Sequence, residues 1–149
     1  MTKREFKTEK CPHCGCYSNR PLAIDAVIIR NKKILLIRRG NAPCKDLWAL
    51  PGGHVDWNET VDETVVREVM EETGLSVKKF KLIGVYSNIK RHPLQAVAVA
   101  FFVSVKRGKE KAGSDAGKIM WFDLGSLPEE LAFDHHEIIA DAVKSISAV

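Results

Sequence analysis

Three glutamates, Glu68, Glu71 and Glu72, directly follow Arg67 in one short stretch of the chain. On an α-helix, with its turn of roughly 100° per residue, Glu71 falls at about −60° and Glu72 at about +40° from Glu68. All three carboxylates therefore share one face. Like charges at these spacings repel, at roughly 0.2–0.5 kcal/mol per pair. Arg67 is the only basic residue within the stretch that reads as helix, and Lys78 and Lys79 lie beyond its end. The face is either a solvated acidic stripe or a seat for a divalent cation. Oxygen-only ligands suit magnesium or manganese rather than zinc, and carboxylates combined with substrate phosphates are the usual magnesium arrangement.

The elements around this cluster are clearly punctuated. Thr60-x-x-Glu63 has the type and spacing of a capping box, and Gly74 stands where a glycine ends a helix, so the sequence predicts a helix over Val61 to Thr73. Val65, Val66, Val69 and Met70 are expected to form its core face, about 130° from Glu68. Pro21 to Arg30 reads as one strand, turning at Asn31-Lys32 into a second over Ile34 to Ile37 as a hairpin. A short apolar stretch, Leu47 to Leu50, is stopped by Pro51-Gly52-Gly53. Leu75 to Tyr86 and Leu94 to Val105 read as extended, Lys106 to Gly117 as a charged loop, and Lys118 to Leu124 as a strand. Asp134-x-x-Glu137 is expected to cap a final helix with Ile138, Ile139, Ala142, Val143 and Ile146 on one face. This order is not a regular βαβ alternation. It predicts an α+β chain with helices packed on a mixed sheet.

Composition bounds the class. The chain has 149 residues, 45% of them apolar, and a net charge of +4, which fits one soluble globular domain and an anionic small-molecule ligand without demanding nucleic acid. The longest apolar run, Ala96 to Val103, is far short of the ~18 residues of a membrane span. The basic N-terminus has no apolar stretch behind it, so the expected location is cytoplasmic, with reduced thiols. Cys11 and Cys14 form one Cys-x2-Cys knuckle within an N-terminal segment, 1–20, ahead of the main domain, 21–149. There is no second such pair, and Cys16 and Cys44 complete a thiolate set only if the fold gathers them. Zinc and a metal-free knuckle both stay open.

Gly53, Glu59 and Arg67-Glu68-Val69-Met70-Glu71-Glu72-Thr73-Gly74-Leu75 match every fixed position of the pattern G-x5-E-x7-R-E-U-x-E-E-x-G-U. The chain from about Pro21 onward resembles a Nudix hydrolase. Gly84-Val85-Tyr86-Ser87, Arg91-His92-Pro93 and Leu131-Ala132-Phe133-Asp134-His135 are similar to the small prokaryotic ADP-ribose pyrophosphatases of that family. The resemblance implies an α/β/α sandwich around a mixed sheet and magnesium-dependent hydrolysis of a nucleoside diphosphate linked to another group. By the same resemblance Glu68, Glu71, Glu72 and a carbonyl at Gly52 or Gly53 hold metal, and Glu59 and Arg67 shape the loop and steer Glu68. Glu68, Glu110 and Asp115 are the candidates for general base, with Glu68 preferred. Arg38 and Asp115 are the candidate substrate contacts; Arg38 and Arg39 end a strand near the expected site and read either as phosphate ligands or as solvated strand-end charges. His135 and His136 read equally as anion ligands or as structural histidines. The implied substrate is ADP-ribose, giving AMP and ribose 5-phosphate. A nucleoside triphosphate or damaged nucleotide is the alternative with the same chemistry, and a non-catalytic nucleotide sensor or nucleic-acid binder is the alternative of another class. Members of this group often dimerise, and Ala96 to Val105 reads either as a dimer strand or as a plain buried one.

Overall fold

The computed structural model describes residue 15, residues 19–113 and residues 116–148. Cys11, Cys14, Cys16 and Asp115 lie outside the described residues, and with them the knuckle and one candidate substrate contact. The elements run β1 (Leu22–Val27), β2 (Ile29–Arg30), β3 (Lys33–Arg39), β4 (Trp48–Ala49), β5 (Gly52–His54), α1 (Val61–Thr73), β6 (Val77–Tyr86), β7 (Val97–Val105), β8 (Ala116–Asp123) and α2 (His135–Ser147).

The expected mixed sheet is present, but the strands form two sheets. One has the order β5-β1-β7-β6, with β1 parallel to β7 and the other pairings antiparallel. In the other, β8 runs antiparallel along β3 from Lys33 to Arg39, and β2 and β4 make short antiparallel pairings at the two ends of β3. The apolar run expected as one strand over Pro21 to Arg30 is divided at Ile28, where the chain passes from the first sheet to the second. Only β2 forms the hairpin with β3. Periodicity cannot reveal this break, because the residues on both sides of it are apolar.

Alternation along these strands explains the layering. Ile24, Ala26, Ile28 and Leu35 pack with Val65 and Val69 of α1, whereas Val27, Ile34 and Leu36 pack with Ile138, Ile139 and Ala142 of α2. Successive side chains in a strand point to opposite faces, so strands apolar on both faces need a helix on each side. The result is the α/β/α sandwich. β7 lies between β1 and β6, so Ala96 to Val105 includes an internal strand. The outer strands of that sheet are β5 and β6, and Leu82 and Val85 of β6 are exposed.

The expected capping box of α1 is formed. Glu63 N–H donates to Thr60 Oγ1 (3.2 Å) and Thr60 N–H donates to Glu63 Oε2 (2.7 Å). Gly74, at φ 68°, closes the helix with its N–H on the Met70 carbonyl. Its buried face is only partly the one expected. Val65 and Val69 are fully buried, but Val66 and Met70 are 46% and 44% exposed, and Thr64, Glu68 and Thr73 are buried instead. The helix is rotated so that its acidic side faces the glycines of β5. At α2, Asp134 makes no capping hydrogen bond with its side chain, and Ile146 is exposed.

Candidate active site

Arg67 is the hub of the glutamate cluster. Its Nε donates to Glu59 Oε1 (2.7 Å) and its Nη2 to Glu59 Oε2 (2.9 Å), a bidentate pairing. Nη1 donates to Glu68 Oε1 (2.8 Å) and Glu71 Oε2 (3.1 Å), and Nη2 also reaches the His54 carbonyl (3.1 Å). The guanidinium therefore joins the helix to the loop after β5. Glu59 further accepts from Thr64 Oγ1 and the Asp56 N–H. The Arg67 hydrogen bond, chief among these contacts, holds the Glu59 carboxyl down at about 2.

The glycines of β5 make the close approach possible. A Cβ on Gly53 would overlap the Glu68 carboxylate, and a Cβ on Gly52 would overlap the Ile24 carbonyl. Gly52 N–H donates to Glu72 Oε2 (2.8 Å). Burial pushes the Glu72 carboxyl up to about 8, opposed by the Gly52 bond and reinforced by the charge of Glu68. Burial also raises Glu68, against the pull of Arg67. Two partly desolvated carboxylates thus sit side by side, with Glu71 on the same face and more exposed.

Among the described residues, no three such side chains are already gathered at metal-binding distance. Glu68 and Glu71 turn to Arg67, and Glu72 to the Gly52 N–H. The donor set nevertheless fits a hard divalent cation, since every available ligand is an oxygen and burial leaves Glu68 and Glu72 costly to ionise without a nearby positive charge.

Beside β5 lies a cavity of about 340 Å³, lined by Asp25, Arg39, Gly52, Gly53, His92 and Phe133 among others. Its size is in the ordinary range for small-molecule sites, ~300–1,000 Å³. Arg39 also borders a smaller hollow with Glu72, so it stands between the carboxylates and the cavity. Arg38, the arginine named from sequence, turns instead to Asp46, donating from Nε to its carbonyl (3.1 Å). Neighbours on a strand face opposite ways, and here the inward position belongs to Arg39. A second, open cleft of about 750 Å³ lies along Trp57, Val66 and Phe80, but Asp56, Asp62 and Glu63 rim it and would repel an anion.

Beneath the first cavity is a buried charge network that sequence reasoning did not assemble. Arg91 donates to both oxygens of Asp134 (2.8 and 2.7 Å) and to the Ala96 carbonyl (3.1 Å), and lies 3.5 Å from Asp25. His135 Nδ1 accepts from the Leu50 N–H (3.0 Å), while its Nε2 lies 3.3 Å from Asp25 Oδ1. His135 is therefore structural, and it holds the strand that leads into Gly52. His136 is exposed, and its Nε2 lies 3.1 Å from the Glu129 carbonyl. These groups lie far apart in sequence, so no local spacing announces them.

Glu110, a candidate general base, lies half-buried in the charged loop after β7. That loop packs on the end of α1: Lys111 N–H donates to the Thr73 carbonyl and Gly113 N–H to the Glu72 carbonyl. Of the tryptophans, Trp48 packs edge-on against Phe122, Arg30 lies over Trp121, and Trp57 is 92% exposed.

Comparison with known proteins places this arrangement. Residues 19–142 match the NUDIX domain. An ADP-ribose pyrophosphatase of Methanocaldococcus jannaschii is 47% identical over 144 residues, covering 96% of this chain and 85% of that protein. A putative 8-oxo-dGTP diphosphatase of Bacillus subtilis is 38% identical over 68% of this chain and 65% of its own length. Among solved structures, the NUDIX domain of Shewanella oneidensis NrtR, complexed with ADP ribose, superposes with a TM-score of 0.79 at 26% identity, covering 98% of this chain and 99% of that one. Sequence and architecture agree along most of the length, and the chain belongs to the Nudix hydrolase family.

Proposed function

We propose that the protein hydrolyses ADP-ribose to AMP and ribose 5-phosphate in a magnesium-dependent reaction, with manganese able to substitute. The observation that carries this reading is the junction of the partly buried Glu68 and Glu72 carboxylates with the cavity beside Arg39. The 47% identity to an ADP-ribose pyrophosphatase supports the choice of substrate. Glu68, Glu71, Glu72 and the Gly52 carbonyl would hold the cation. When bound, it supplies charge neutralisation at the pyrophosphate and a more acidic water.

The chain's own residues do the rest. Arg67 orients Glu68 and Glu71 through one nitrogen, and Glu59 fixes the guanidinium from its other edge. Oε1 of Glu68 accepts from Arg67, which leaves Oε2 to take the proton of the attacking water. Water oxygen bonds to one phosphorus as the bridging P–O bond breaks, and Arg39, whose Nε donates to the Pro43 carbonyl (2.8 Å), would bind a phosphoryl oxygen through its other nitrogens. Gly52 N–H keeps Glu72 in register with the loop.

The test is turnover of ADP-ribose, NADH, diadenosine polyphosphates and nucleoside triphosphates with magnesium or manganese. ADP-ribose is expected to dominate, and Glu71→Gln and Glu72→Gln are each expected to lower its turnover by at least ~100-fold without changing the far-ultraviolet circular dichroism. A triphosphate preference would move the substrate to the alternative. Wild-type turnover in both variants would overturn the metal assignment.

A further inference from the structure

His92 lines the cavity beside β5 and is used by nothing in the mechanism above. Its Nδ1 accepts a hydrogen bond from the Leu94 N–H (3.0 Å). A neutral imidazole carries one proton, so this bond places it on Nε2. Burial, with the nearby charge of Arg91, lowers the His92 pKa and keeps the ring neutral. Among the described residues Nε2 has no protein partner, and no buried side-chain nitrogen or oxygen lacks one, so this N–H lies on the accessible wall.

The ring is also fixed in orientation. It stacks on Phe133 at 4.8 Å with 30° between the planes, and the Arg39 guanidinium lies 5.1 Å from the Phe133 ring centre. Phe133 is held at φ 53°, a left-handed conformation that a bulky side chain adopts only under constraint from its surroundings. Such strain is concentrated at ligand sites. A neutral donor of set direction therefore stands on the cavity wall.

The rest of the wall tells which part of the substrate it meets. Leu50, Leu94 and Ala96 are apolar, and Asp25 and Arg91 are engaged with each other, Asp134 and His135, which leaves His54 and the phosphoryl-side Arg39 as the other polar side chains of the wall. A sugar seated against the apolar stretch of Leu50, Leu94 and Ala96 would leave hydroxyls without partners there, at a cost for each. A flat heteroaromatic base needs little more than apolar surface and a donor to one of its acceptors. We propose that His92 is a specificity-determining residue, whose Nε2–H donates to an acceptor on the nucleoside half of the substrate. This rests on the ADP-ribose reading, with AMP as the half bound in the cavity.

Three substitutions separate recognition from structure. Asparagine at 92 keeps a short acceptor for the Leu94 N–H, as Asn88 Oδ1 does for the Lys90 N–H at 2.9 Å, but does not reach into the cavity. Phenylalanine keeps the stack and removes the donor. Glutamine restores an N–H at the reach of Nε2. KM for ADP-ribose and the inhibition constant for AMP are expected to rise about 5- to 10-fold in His92→Asn and His92→Phe, with kcat changing less than about 2-fold. His92→Gln is expected to recover most of the loss, and inhibition by ribose 5-phosphate is expected to stay at its wild-type value. Wild-type constants in His92→Asn, or a shift in the ribose 5-phosphate constant rather than that of AMP, would overturn the proposal. Failure of the wild type to hydrolyse ADP-ribose would instead sink the functional reading. Calorimetric titration of AMP then decides the inference: weaker binding in His92→Phe supports it, and equal binding, or none to the wild type, overturns it.

Discussion

Arg67 divides its guanidinium among Glu59, Glu68, Glu71 and the His54 carbonyl, and each contact serves a different end. The bidentate bond to Glu59 anchors the arginine, and the bonds to Glu68 and Glu71 set the carboxylates. Because Glu59 is depressed from 4.5 to about 2, its share of stability has a defined pH window. The folded form binds the proton less tightly than the unfolded chain. The contribution is therefore complete above the unfolded value and is lost as pH falls toward the folded one. Thermal melts of the wild type and Glu59→Gln should differ most above pH 5 and converge as pH approaches 2. A difference that stays constant across that range would show that the Arg67 pairing is not the source.

At the scale of elements, α1 is positioned from both ends. Thr60 and Glu63 close its start, and the loop after β7 covers its last carbonyls. That loop approaches closely enough that a Cβ on Gly113 would overlap the Glu71 carbonyl and lie 3.3 Å from the Glu72 Cα. These are backbone atoms and cannot swing away. Gly113→Ala should cost about 1–3 kcal/mol of stability in denaturant melts. It should also reduce turnover by at least ~10-fold, because Glu71 and Glu72, the ligands proposed for the cation, move with the helix end. Gly125→Ala, which places its Cβ in open space, is the control and should leave both unchanged. Equal effects at the two glycines would mean that the loop does not position the helix.

Across the whole molecule, Arg91 links elements that lie far apart in the chain. It lies in the turn before β7, and it bonds Asp134 at the start of α2 and approaches Asp25 in β1. His135, beside Asp134, holds the Leu50 N–H just before the glycines. Both outer layers of the sandwich thus bear on the same loop, α1 through Glu72 and α2 through His135. Removing one member of a buried ionic group leaves its partners uncompensated, which costs about 3–5 kcal/mol. Arg91→Met should show a loss of that size in urea unfolding, and Arg91→Lys a smaller one, since a lysine keeps the charge but not the bidentate geometry. A loss below ~1 kcal/mol in Arg91→Met would show that water replaces the arginine without penalty.

What the sequence determined by itself was local. The helix of the box, its capping residues, its terminal glycine and the order of strands and helices follow from periodicity and from backbone groups that neighbouring residues must satisfy. The match of Gly53, Glu59 and Arg67 to Glu72 with one family pattern is also local, and the family assignment confirms it. Hydropathy identifies Val65 and Val69 on the buried face of α1 but wrongly favours Val66 and Met70 over Glu68. Only the tertiary structure supplies the reason for the other choice, a glycine strand with room for the carboxylates. The same holds for the break at Ile28, for Arg39 rather than Arg38 facing the cavity, and for the meeting of Asp25, Arg91, Asp134 and His135. Each of these depends on which strand lies beside which, and such long-range pairings leave no mark in the spacing of neighbouring residues.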